Sequence, residues 1–135
     1  MALPNGTSGY QVGVGNASEP IMGVLGPVTA YAGSTGTIVV ADLVNGVFSV
    51  DSGGTDAGTY SVAAASLVDA AVSSARVSST FDFFCVNLGD NAANDVTFSG
   101  TGWTFVGAAV VADGTSAHFR ARKTGDAAWT CYRIS

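Results

Sequence analysis

Through the last third of the chain, short runs of β-branched and aromatic residues alternate with clusters of Gly, Asp, Asn and Ser. That rhythm belongs to strands joined by tight turns. It predicts strands at 79–88, 95–99, 103–107, 109–112, 116–123 and 128–134. Upstream, Val24–Tyr31, Gly36–Leu43 and Val47–Asp51 have strand composition, and Asn45-Gly46 between the last two is a hairpin turn signal. One stretch breaks the pattern. Across Ala63–Ala75 the apolar Leu67, Val68, Ala71, Val72 and Ala75 recur at helical spacing, which predicts one short α-helix that Ser61 or Ser66 could cap. Residues 1–22 are Gly-rich, carry Pro4 and Pro20, and read as an extended N-terminal arm with at most a short strand at Tyr10–Val14. Such an arm is either a frayed terminus or a segment that lies on a neighbouring molecule. The remainder, 23–135, is expected to be a single domain: all-β, an antiparallel β-sandwich of jelly-roll-like topology.

Two strands carry most of the functional information. If the last two form a hairpin around Gly125-Asp126, Phe119 faces Tyr132 and Arg122 faces Trp129. One face then holds Phe119, Ala121, Tyr132 and Ile134 as core, and the other holds His118, Arg120, Arg122, Trp129, Cys131 and Arg133. An Arg122–Trp129 stack on that outer face would either stabilise the hairpin or contact a subunit or ligand. The second strand, around Phe81–Leu88, is apolar on both sides, with Phe81, Phe83 and Cys85 on one and Phe84, Val86 and Leu88 on the other. A strand apolar on both faces is covered on both. One side meets the core; the other is expected to meet the helix, the arm or another subunit. Phe84, Val86, Leu88, Arg122 and Trp129 are therefore the candidate contacts to another subunit or to a larger partner.

Composition sharpens this picture. Hydrophobic residues make up 47% of the 135 residues but charged ones only 11%, against roughly 25% in ordinary globular chains. So few charges give a weakly solvated surface, which other subunits would cover. The 18 Gly add chain entropy that a core of small side chains offsets poorly, so assembly is expected to stabilise the protomer. The net charge of −5, with Lys123 and four Arg as the cations, leaves no basic stripe for phosphates, and nucleic-acid binding is not expected. The first fifteen residues lack the pattern of a secretory signal, and no apolar run reaches a membrane span, so the expectation is a soluble protein made in a cytoplasm.

Catalytic and metal-binding patterns are sparse. His118 is the single histidine, placed in a strand beside Arg120, where a structural hydrogen bond is its expected role. No nucleophile elbow, phosphate-binding loop or metalloprotease helix is present. Gly13-Val14-Gly15 lacks the frame of a dinucleotide loop. The loop Asp51–Asp56 has too few ligands for calcium, and Asp90, Asn91, Asn94 and Asp95 read as turn residues. Cys85 and Cys131 read as small buried hydrophobes, with a disulfide open only if their strands are neighbours. No enzymatic activity, cofactor or metal is expected.

The order of residues adds a likeness. The run ARVSSTFDFFCVNLG, then ANDVTFSGTGWTFVG, VADGTSAHFRARKTG and AWTCYRI, preceded by a helix of AAxLVxA type, resembles the C-terminal half of small structural proteins of tailed bacteriophages over roughly residues 60–135. The resemblance implies a virion protein, β-rich and trimeric: a capsid decoration (cement) protein on the outer surface of the head that binds the major capsid protein. The alternative it leaves is a receptor- or glycan-binding module of a head or tail fibre, which would use exposed aromatics such as Trp103 or Trp129.

Overall fold

A computed structural model describes residues 28–54 and 56–135. The residues 1–22 expected to form an N-terminal arm, with the short strand expected at Tyr10–Val14, lie outside them. Ten strands are present: β1 (Thr29–Ala32), β2 (Thr35–Ile38), β3 (Val47–Asp51), β4 (Gly58–Val62), β5 (Thr80–Asn87), β6 (Val96–Ser99), β7 (Trp103–Val106), β8 (Val110–Val111), β9 (Ser116–Gly125) and β10 (Ala128–Arg133). Helix α1 (Val40–Asn45) joins β2 to β3, and α2 (Ala65–Ala71) joins β4 to β5. The strands form a six-stranded sheet, β1-β3-β5-β9-β10-β7, and a four-stranded sheet, β2-β4-β6-β8. The all-β, two-sheet expectation stands at that level.

The pairing is not what a jelly roll requires. Five of the eight ladders are parallel, namely β1/β3, β3/β5, β2/β4, β4/β6 and β7/β10. Only β5/β9, β9/β10 and β6/β8 are antiparallel. The cause is the route of the chain. From β1 to β6 it coils, laying each odd strand in one sheet and each even strand in the other. Successive strands of one sheet are thus separated by a passage through the other and run the same way. Side chains alternate with period 2 in either pairing, so strand direction left no mark in the hydrophobic pattern.

Between the sheets the core is aromatic. Phe48, Phe83 and Phe119 sit on the adjacent strands β3, β5 and β9, with ring centroids 6.0 and 5.2 Å apart in stacked pairs. Phe98 of the opposing sheet meets Phe48 and Phe119 edge-on at 6.0 and 5.9 Å. Such geometries add about 0.5–1.5 kcal/mol per pair beyond area burial. Ile38, Leu43, Val50, Tyr60, Val68, Val96 and Val111 complete the core.

Two helices appear where one was expected. The TIVVADL run continues as a strand only to Ile38 and then turns into α1, which buries Leu43. Asn45-Gly46 is therefore not a hairpin turn. Gly46 is the C-cap of α1, at φ 92°, and its N–H bonds the carbonyls of Asp42 and Leu43. A left-handed Gly ends a helix as readily as it turns a hairpin. The second helix falls within the expected stretch, but its N-cap is Ala64 and no side chain caps it.

Candidate functional site

Three places on the molecule gather side chains that could act together. The first is the β9–β10 hairpin, whose register differs by one residue from the expected one. Trp129 lies opposite Lys123, Thr130 opposite Arg122, and Arg133 opposite Phe119, with a register shift between Ala128 and Trp129. The turn is Asp126-Ala127, with Ala127 at φ 51°. A slip of one residue exchanges the faces of a strand. Trp129 and Cys131 are consequently core residues, and Tyr132 faces outward. The expected Arg122–Trp129 stack does not form. Arg122 instead donates to Ser78 Oγ at 2.7 Å.

Trp129 is 2% exposed and belongs to a pinned cluster. Its indole N–H donates to Asp69 Oδ1 at 2.8 Å, Lys123 Nζ lies 2.9 Å from the same oxygen, and the Ala127 amide donates to Oδ2 at 2.8 Å. Lys123 foremost, then the Ala127 amide, hold the Asp69 carboxyl below its usual value. This cluster fastens α2 to the hairpin. Trp103 is also turned inward, its indole N–H donating to the Ala63 carbonyl at 2.8 Å. Trp129 is therefore not available as an exposed sugar platform, and Trp103 is half-buried against the core.

The second place is the outer face of the six-stranded sheet. Here the β5 alternation holds as read: Phe83, Cys85 and Asn87 are buried, while Phe84 and Leu88 are 42% and 55% exposed and Val86 is half-buried. Pairing puts Val47 beside Phe84, and Phe84 beside His118. The His118 ring stacks on Phe84 with centroids 4.3 Å apart. Asp82 sits at the centre of the ionic groups. Arg120 donates to it through Nε at 2.7 Å and Nη2 at 2.8 Å, and His118 Nε2 lies 3.0 Å from Oδ2. The Arg120 hydrogen bonds foremost hold the Asp82 carboxyl down to about 2. An ionised carboxylate only accepts, so His118 donates. Further out, exposed Val106 and Ile134 extend the apolar surface. Among the described residues, neither helix nor any loop lies over this face at Phe84 or Leu88.

The third place was not foreseen. Thr37, Val39, Val40, Ala63, Ala64, Leu67, Ala70 and Ala71 line a groove of about 560 Å³ between α1 and α2. Leu67 is 57% exposed at its wall. The sequence signal was present, since Leu67 and Ala71 recur at helical spacing beside Val68. What sequence could not show is α1, which forms the other wall.

The remaining sequence candidates take structural roles. Cys85 pairs with Ala117 and Cys131 with Ala121, four residues apart along β9, so the two thiols are not adjacent and both are free. Burial pushes each up to about 12. Asp51 Oδ1 accepts from the Gly53 amide and Asn91 Oδ1 from the Ala93 amide, as turn residues do, whereas Asp95 Oδ1 accepts from the Asp113 amide and ties the β5–β6 loop to the β8–β9 loop. No group of three or more His, Cys, Asp or Glu among the described residues could hold a metal ion. No helix among them is long and apolar enough to cross a membrane. Comparisons with protein families, curated proteins and solved structures found no match to this chain.

Proposed function

We propose that the chain is a virion structural protein, a capsid decoration (cement) protein that binds the outer surface of a tailed-phage head as a homotrimer and stabilises the major capsid lattice. One observation carries the reading. Two separate apolar surfaces lie open on the sandwich: the outer face of the six-stranded sheet, and the α1–α2 groove, where Thr37 at the end of β2 joins the lining. A soluble monomer gains nothing by exposing two such patches. A subunit that contacts copies of itself through one and a lattice through the other needs both. Three weak lattice contacts on one rigid trimer raise avidity through effective concentration, without any strong single contact. The sequence likeness to phage structural proteins points the same way. The fibre alternative rests on exposed tryptophans, whereas Trp129 is buried and Trp103 is half-buried against the core.

The test is direct. Expanded heads lacking decoration, incubated with the purified protein, bind it to saturation and melt at higher temperature. No binding, with the protein located only at fibre tips by labelling, would overturn the reading.

A further inference from the structure

We infer that copies of this chain meet through the outer face of the six-stranded sheet, along the β5 strip of Phe84, Val86 and Leu88, and not through the α1–α2 groove. The inference deepens the function proposed above, and takes from it only the number of copies.

Three features of the face favour a second copy as the occupant. The first is its apolar content. Phe84, Leu88, Val106 and Ile134 are exposed large hydrophobics among the described residues, and all four lie on this face. Val47 and Val86, half-buried, join Phe84 and Leu88 into one strip along β3 and β5, while Val106 and Ile134 lie on the far side of β9, beyond His118 and Arg120. The second is its readiness to lose water. The central carboxylate, Asp82, already accepts from Arg120 twice and from His118 once, and Phe84 covers the imidazole. A charge leaves water at tolerable cost only when it is paired and hydrogen-bonded, and this one is satisfied before any partner arrives.

The third feature is charge. The chain carries net −5, so two copies repel wherever their acids face each other. Asp56, Asp90, Asp95 and Asp113 cluster in the loops at one end of the sandwich, between β3 and β4, β5 and β6, and β8 and β9. On the outer face, by contrast, Asp82 is matched by Arg120, and the two further charges, Arg122 beside them and Asp51 beside Leu88, are of opposite sign. This is where like molecules approach without like charge. An apolar strip is also what a symmetry axis tolerates, because there each side chain meets its own copies. The groove wall, Leu67, has no such ionic frame within it.

The experiment uses the full chain and single substitutions at side chains already exposed in the protomer, so that the protomer fold is kept. Sedimentation velocity at micromolar concentrations is expected to show an assembled wild type. Leu88→Asp and Phe84→Asp, each placing an unpaired carboxylate in a contact that must dehydrate, are expected to weaken self-association by about tenfold or more. Leu67→Asp is expected to sediment as wild type does. Circular dichroism confirms that each variant is folded. Leu88→Ala, which shortens the side chain without a charge, is expected to weaken association less than Leu88→Asp does. A wild type that is monomeric throughout, or face variants that associate as wild type does, overturns the inference. So does loss of assembly in Leu67→Asp alone. Binding to undecorated heads separates this from the proposed function: assembly through the face without head binding sinks the decoration role and leaves the interface standing. Head binding by a wild type that stays monomeric does the reverse.

Discussion

Asp69 shows how much one side chain holds in place. It sits on α2, yet accepts from the Trp129 indole and the Ala127 amide and pairs with Lys123, all on the β9–β10 hairpin. Replacing it by Ala leaves a buried ammonium and a buried indole N–H without partners. Asp69→Ala is expected to cost about 3 kcal/mol in urea unfolding, and a loss under about 1 kcal/mol would contradict the pinning role. Asp82 supplies a pH dependence with a definite sign. Its folded carboxyl lies at about 2, below the 3.8 of an unpaired aspartate. It therefore adds stability above 3.8, and that contribution disappears as pH falls toward 2. Asp82→Asn lacks it, so the stability gap between wild type and variant should narrow over that interval; a constant gap would count against it. At Ala127 the strain is in the backbone, with φ at 51° in a non-glycine residue. Ala127→Gly is expected to gain up to about 1 kcal/mol, the left-handed penalty less the entropy that Gly adds.

At the scale of elements, strand positions were legible and strand relations were not. The strands of the C-terminal third fall within a few residues of the runs that alternation marks out, because bulky β-branched and aromatic residues are bounded there by Gly, Asp and Asn. The GTYSV strand, Gly58–Val62, escaped notice because its single aromatic stands between a glycine-rich loop and an alanine-rich helix. Helix α1 escaped because Val39 and Val40 carry strand propensity into its first turn, and tertiary burial of Leu43 prevailed. The hairpin slip came from reading Gly125 as a turn residue, where the chain turns one residue later at Asp126-Ala127. That single residue moved Trp129 from a presumed contact surface into the core. Of the five candidate contact residues, Phe84, Val86 and Leu88 share the outer face, Arg122 stands on that face at the far end of β5 opposite Thr80, and Trp129 lies in the core. Gly102 records the closeness of the β7 turn to the hairpin: it has φ 79°, and an added Cβ would lie 2.4 Å from the Ala127 carbonyl oxygen and 2.7 Å from the Ala65 Cβ. Gly102→Ala is expected to destabilise by about 2–3 kcal/mol through backbone strain and overpacking, measurable as a lower urea midpoint.

For the whole molecule, the low charge density and the doubly apolar β5 strip have one common consequence. The 18 Gly add chain entropy that the aromatic core must offset, and the outer sheet face leaves apolar area that association would remove from water. Folding and assembly are then linked. Because a partner that binds only the folded form stabilises it by mass action, the melting temperature should rise with protein concentration. In Leu88→Asp that dependence should vanish, and its melting temperature should match the low-concentration limit of wild type, since Leu88 is 55% exposed in the protomer and contributes little to its core. Differential scanning calorimetry over a hundredfold range of concentration decides the matter. A wild-type melting temperature independent of concentration would mean that the protomer is stable alone. The open face would then be a docking surface for something other than this chain.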